Sequence, residues 1–155
     1  MLYFAYGVNL DPLQMRLRCP TAQFIGKARL NDYRVCFPLW SRIRQSGLIG
    51  IEPAEGERVW GVLYDVRDAE APGLDVREGY DPARPERSSV NRVAVKVLRS
   101  RKASSAETYV PPAAIETRLP SADYIAYLVR LAASRGLPKD YQAELRAVPV
   151  AALAA

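Results

Sequence analysis

Leu2-Tyr3-Phe4-Ala5-Tyr6-Gly7-Val8-Asn9-Leu10 reads as a strand that breaks at a glycine and gives way to a helix. The aromatic and apolar residues up to Tyr6 suit a buried strand. Gly7 interrupts it, and Asp11-Pro12 follows as an N-cap with proline in the first helical turn. A strand, a tight turn and a helix N-terminus aim backbone N–H groups at one spot with a helix dipole behind them. Such a spot favours a carboxylate or another anion. An ordinary β-to-α connection without a ligand has the same local pattern, so later segments must choose between the two.

Outward from this stretch, short helices alternate with β-rich segments. Residues 11–18 read as a helix that ends at Cys19-Pro20, because a residue before proline avoids helical angles. Residues 23–37 are rich in β-formers, with Asn31-Asp32 as a bend or bulge. Residues 38–46, carrying Trp40, Arg42 and Arg44, read as an irregular loop. Residues 48–51 and 58–66 read as the arms of a hairpin turning at Pro53-Ala54-Glu55-Gly56-Glu57. Gly50 and Gly61 in those arms suit a close backbone approach or the sharp bend of a barrel. Asp68 is placed to cap a short helix, which Pro72-Gly73 interrupts and Gly79 closes. Residues 90–98 alternate in the strand manner, a polar turn spans 100–105, and residues 107–110 form a further strand. Ser121 caps an amphipathic helix through Ile125, Leu128, Val129 and Ala132; Gly136 ends it, and Leu137-Pro138 opens another. Strands in the middle with helices at the flanks give an α+β fold. Five or six strands with bend-permitting glycines favour a small closed or nearly closed barrel. With no repeat or linker, residues 1–155 are expected to form one domain.

Composition narrows the chemistry. At 49% hydrophobic and 25% charged the chain is ordinary for a soluble globular protein, and no apolar run approaches the roughly 20 residues of a membrane span. Nothing at the start reads as a secretory leader, so the cytoplasm is the expected location and no membrane partner is expected. The net charge of +5 is scattered, and no run alternates arginine with aromatics, so no nucleic-acid partner is expected. Cys19 and Cys36 fall in no C-x-x-C pair and read as idle thiols. The absence of histidine is the most informative feature. It removes Ser–His and Cys–His nucleophile pairs and the commonest metal ligand. Proton transfer is left to carboxylates, tyrosines, lysines or thiols.

Glu78 is the carboxylate that stands out. A glutamate before a glycine at a helix end is usually solvated, but this one lies between Leu74 and Tyr80, where apolar neighbours would desolvate it and raise its pKa. Facing an anion-binding loop inside a barrel mouth, it would serve as a general acid/base.

Five motifs then fall in the order of a known family. Residues 3–10 resemble the Y-F-A-Y-G-S-N-L signature of the γ-glutamylcyclotransferases, and Val59-Trp60-Gly61-Val62 resembles their V-W-G-V strand. Leu74-Asp75-Val76-Arg77-Glu78-Gly79 resembles their L-D-x-x-E-G segment. Pro120-Ser121-x-x-Tyr124 and Gly136-Leu137-Pro138-x-x-Tyr141 resemble their C-terminal helices. The resemblance implies a small mixed β-barrel with flanking helices that releases 5-oxoproline from a small γ-glutamyl substrate. It implies no cofactor and no metal, Glu78 as the general acid/base, and Tyr6, Gly7, Val8, Asn9 and Leu10 as the substrate-binding loop. A homodimer is compatible with it. In that reaction the substrate's α-amine attacks its own γ-amide carbonyl, so the protein need not supply a nucleophile.

Some positions depart from the family pattern. Val8 stands where the family usually has serine, Val90 where a tyrosine often opens the strand after the glutamate, and Ala114 or Ile115 where another tyrosine is expected. Glu78 favours an enzyme. Val8 and the absent tyrosines favour the alternative, a non-catalytic module on the same fold that binds a small anion or amino-acid-like ligand. Tyr124 and Tyr141 read as packing groups, Trp60 as core, and Arg42 and Arg44 as solvated.

Overall fold

The computed structural model describes residues 1–113 and 116–153. Ala114 and Ile115, where the resemblance asks for a tyrosine, lie outside the described residues. In chain order the elements are β1 (Leu2–Ala5), a 3-10 turn (Val8–Leu10), α1 (Pro12–Arg18), β2 (Gln23–Ser41), β3 (Ser46–Asp65), α2 (Ala71–Glu78), β4 (Asn91–Arg99), β5 (Lys102–Val110), α3 (Ala122–Ser134) and α4 (Lys139–Arg146). The strands close into a barrel in the order β1-β3-β2-β4-β5. All neighbours run antiparallel except β1 and β5, which meet in parallel at Tyr3 and Glu107, so the barrel is mixed.

β2 and β3 form one long hairpin of 19 and 20 residues. This corrects two sequence expectations. The segments 48–51 and 58–66 do not pair with each other; both pair with β2. The turn-like residues 54–57 leave the ladder opposite Asp32, which takes a left-handed φ of 62° and accepts the Gly56 N–H at 3.0 Å. Aspartate tolerates that conformation better than most residues. The expected loop at 38–46 shrinks to a four-residue turn at 42–45. Pro38 sits in a register shift between Cys36 and Leu39, where its missing N–H breaks no ladder bond. Proline likewise does not interrupt α2, because Pro72 falls in the first turn, where its N–H would be idle.

Phe4, Leu30, Ile51, Val59, Leu63 and Val97 are fully buried in the core, and α3 adds Ile125, Leu128 and Leu131 along one face. Each such side chain contributes about 1.5–3 kcal/mol of burial. Ser121 caps α3 by accepting the Tyr124 N–H at 3.1 Å. Strand directions decide where a site can form. The C-terminal ends of β1, β2 and β5 and the N-terminal ends of β3 and β4 meet at one end of the barrel. The loop after β1 therefore opens beside the β2–β3 turn and the entry to β4.

β1 reaches that end only because β3 has no side chain at Gly61. A Cβ there would lie 2.3 Å from the Ala5 carbonyl oxygen and 2.8 Å from the Phe4 ring. Gly61→Ala is expected to push β1 off β3 and cost about 1–3 kcal/mol, read as a fall in Tm. An unchanged Tm would show that the strands can part without penalty.

Candidate active site

A cavity of about 360 Å³ occupies this end of the barrel, with Tyr6, Gly7, Val8, Asn9 and Glu78 in its wall. The loop and the glutamate, 69 positions apart, meet directly: Asn9 Nδ2 donates to Glu78 Oε1 at 2.6 Å. The same amide donates to the Tyr3 hydroxyl at 2.9 Å. Arg18, from the last turn of α1, donates its Nη1 to Glu78 Oε1 at 2.8 Å. One carboxylate oxygen thus carries both bonds, while Oε2 has no partner among the described residues.

The loop is wired so that its N–H groups stay available. The Gly7 carbonyl accepts from Leu10 N and the Val8 carbonyl from Asp11 N. The Asn9 carbonyl accepts from the Tyr64 hydroxyl, and that of Leu10 from Arg135 Nε. With these carbonyls engaged, the N–H groups of Gly7, Val8 and Asn9 find no acceptor among the described residues. Leu10 differs from its neighbours: it is buried off the cavity wall, and its N–H closes the turn on Gly7. The Tyr6 hydroxyl donates to the Tyr109 carbonyl.

Burial raises the Glu78 carboxyl above its ordinary value, against the pull of the Arg18 charge and the hydrogen bonds from Asn9 and Arg18. The side chain is still 23% exposed, so the shift is screened but not reversed. Tyr80, expected to help desolvate it, instead lies against Arg92 and Tyr109. Burial, with the Glu78 charge adding to it, lifts Tyr3 and Tyr6 well above an ordinary phenol, so both stay neutral. The Tyr3 proton has no acceptor among the described residues. Burial pushes the Cys19 thiol up to about 11 and Cys36 to about 12, so neither is a thiolate near neutral pH. Both are free.

The rest of the wall is largely aliphatic and aromatic, and its charges are Arg18, Arg44 and Arg77 against Glu78, its one acid among the described residues. Arg44 is exposed, as expected, and also lies over the rings of Tyr124 and Tyr127, at 5.5 and 5.2 Å. Tyr124 is more than a packing group, since it lines the cavity and its hydroxyl accepts the Ile49 N–H at 3.2 Å. Val8 and Val90 both line the cavity. A larger cavity of about 830 Å³ lies beyond α2, where Arg84 pairs with Asp81, Arg92 with Asp75 and Glu107, and the N-terminus with Asp68.

Sequence reading missed Arg18, Tyr3, Tyr109 and Asp75. An arginine in the last turn of a helix reads as complementing the dipole, and nothing local gives it a glutamate sixty positions away. Asp75 did carry a signal, since an acid three residues before Glu78 lies on a neighbouring helix face.

Comparison with known proteins shows the family and supports the fold. Residues 58–145 match the AIG2-like family. The chain is 33% identical over 153 residues to the mouse (Mus musculus) protein named gamma-glutamylcyclotransferase, covering 95% of this chain and 78% of that one. The human (Homo sapiens) protein of the same name is 31% identical over 152 residues, with the same coverage. A solved structure named gamma-glutamyl cyclotransferase superposes with a TM-score of 0.88 at 29% identity, over 100% of this chain and 91% of that one. With the barrel, the loop and the glutamate in place, the chain belongs to the AIG2-like family of γ-glutamylcyclotransferases.

Proposed function

We propose that this protein is a γ-glutamyl cyclotransferase that releases 5-oxoproline from a γ-glutamyl amine, amino acid or conjugate, with Glu78 as both base and acid. The observation that carries this reading is a carboxyl raised by burial, with one oxygen free, beside a loop whose N–H groups are unspent. Glu78 takes a proton from the substrate's α-ammonium. The freed amine attacks the γ-carbonyl carbon, closing the five-membered ring. The C–N bond to the leaving amine breaks as Glu78 returns the proton to that nitrogen, and Glu78 then takes the second proton that the ring nitrogen must shed and passes it to the freed amine, which departs as an ammonium. The loop N–H groups and the Tyr3 hydroxyl are donors for the carbonyl oxygen as it becomes negative.

The raised pKa is what makes one residue sufficient. Proton transfer from an α-ammonium near ~8 to an ordinary glutamate near ~4.3 is uphill by about 5 kcal/mol, and each unit of elevation removes about 1.4 kcal/mol. The same elevation leaves a competent acid for the second step.

Glu78→Gln keeps size and the Asn9 contact but cannot titrate, so 5-oxoproline release is expected to fall at least ~10²-fold. A folded mutant as fast as wild type would rule out the mechanism. A wild type inactive on a panel of γ-glutamyl compounds would favour the binding module. The groups facing Glu78 are Arg18 from α1, Tyr3 and Tyr6 from β1 and the loop after it, Tyr109 from β5 and Tyr124 from α3. Of these, Glu78 alone titrates in the acid range. The acid limb of kcat/KM should therefore lie above the ~4.3 of an ordinary glutamate, with rate rising as pH rises through it.

Stability should move the other way. The folded state holds the Glu78 proton to higher pH than the unfolded chain does, so wild type loses stability as pH rises between the two pKa values. Glu78→Gln escapes that loss. Thermal melts should find it comparable to wild type below about pH 4 and more stable near pH 7. A less stable mutant at neutral pH would mean that the Arg18 ion pair outweighs burial.

Val8→Ser puts a hydroxyl into the cavity wall without altering the loop's backbone. It is expected to leave Tm near that of wild type and to lower KM about tenfold, the worth of one hydrogen bond of roughly 1.5 kcal/mol to a charged group. An unchanged KM would show that side chain 8 does not reach the substrate.

A further inference from the structure

α2 is poorly equipped to hold its own place. It has eight residues and no side-chain N-cap, and Leu74 is its one buried apolar side chain. So short a helix is not stable by itself. Its other buried residue is Asp75, 3% exposed, one turn before Glu78. Arg92 of β4 donates its Nη1 to both Asp75 oxygens, at 3.0 and 2.9 Å, and the Tyr109 hydroxyl of β5 donates to Oδ1 at 2.6 Å. A buried ion pair adds little net stability, since desolvation offsets most of its attraction; geometric specificity is the better account of one.

The anchor reaches the site by a second route. The Tyr109 ring packs edge-on against Tyr3 at 5.7 Å, and Tyr3 shares the Asn9 amide with Glu78. Both acids of α2 are therefore tied to the same aromatic wall, Asp75 from the strand side and Glu78 from the loop side.

We propose that Asp75 is a positioning residue, pinning α2 to β4 and β5 so that the Glu78 carboxyl is held at the barrel mouth. Its kinetic consequence rests on the cyclotransferase reading; its structural consequence does not. The loss of either anchor should let α2 drift outward, admit water to Glu78 and misplace the proton acceptor.

The test follows the Glu78 carboxyl by 13C NMR, with Glu78→Gln to assign the signal, in wild type, Asp75→Asn and Arg92→Lys. Arg92→Lys preserves every formal charge while losing the guanidinium whose Nη1 sits between the two Asp75 oxygens and whose Nε faces Glu107, so it separates position from field and serves if Asp75→Asn does not fold. In both variants the Glu78 midpoint should fall by about half a pH unit or more towards an ordinary glutamate. The kcat should fall roughly tenfold or more, with KM changed far less. In the Glu78→Gln background, Asp75→Asn should add no further loss. An unshifted midpoint with a lowered Tm would make Asp75 merely structural and overturn the proposal. A shift in Asp75→Asn but not in Arg92→Lys would assign the effect to charge and overturn it equally. A wild type that releases no 5-oxoproline would defeat the cyclotransferase reading alone, and the titrations would still decide this one.

Discussion

The 2.6 Å hydrogen bond from Asn9 Nδ2 to Glu78 Oε1 joins the loop after the first strand to the helix after the third. Nearly every other contact at the barrel mouth serves one of its two ends. Tyr3 takes the second amide proton of Asn9, while Tyr64 and Arg135 hold the carbonyls of Asn9 and Leu10. Arg18 and the Asp75 anchor fix the other end. Gly61 lets β1 come close enough for them to meet. The bond also sets the chemistry. Donors on Oε1 favour the carboxylate and burial favours the acid, and burial wins. A fully solvated glutamate would be too weak a base for an α-ammonium. A glutamate buried without donors would seldom ionise. The site lies between these limits at a cost in stability, as functional sites commonly do.

How far the sequence could be read depended on the range of the interactions. The loop and Glu78 were legible because local chemistry marks them, a glycine break before an Asp-Pro cap and a glutamate ahead of a left-handed Gly79. The helices around Ser121 and Gly136 were legible for the same reason. The long β2–β3 hairpin was not, because Pro38 and residues 53–57 carry turn chemistry that the ladder absorbs in bulges. A bulge and a turn look alike until the partner strand is known. Leu10 was grouped with the loop by position, yet the turn consumes its N–H and the core takes its side chain. Arg18, Tyr109 and Arg92 act on the site only through tertiary contacts.

Apolar and charged residues share the cavity wall. Val8 and Val90 give the cavity apolar wall, while Arg44 and Arg77 add positive charge. The polar groups that face the cavity are the loop's backbone N–H groups, the arginines and a few side chains such as Tyr3 and Asn9. On the proposed cyclotransferase reading, the central step asks only for a folded substrate, a proton acceptor and donors for the developing oxyanion.

The most direct measurement of that step is turnover of a γ-glutamyl compound in H₂¹⁸O, with products resolved by mass. Intramolecular cyclisation predicts 5-oxoproline in equal amount to the freed amine and carrying no ¹⁸O, because water never attacks the carbonyl. Glutamate carrying ¹⁸O as the initial product would contradict it, since that outcome requires hydrolysis by an activated water.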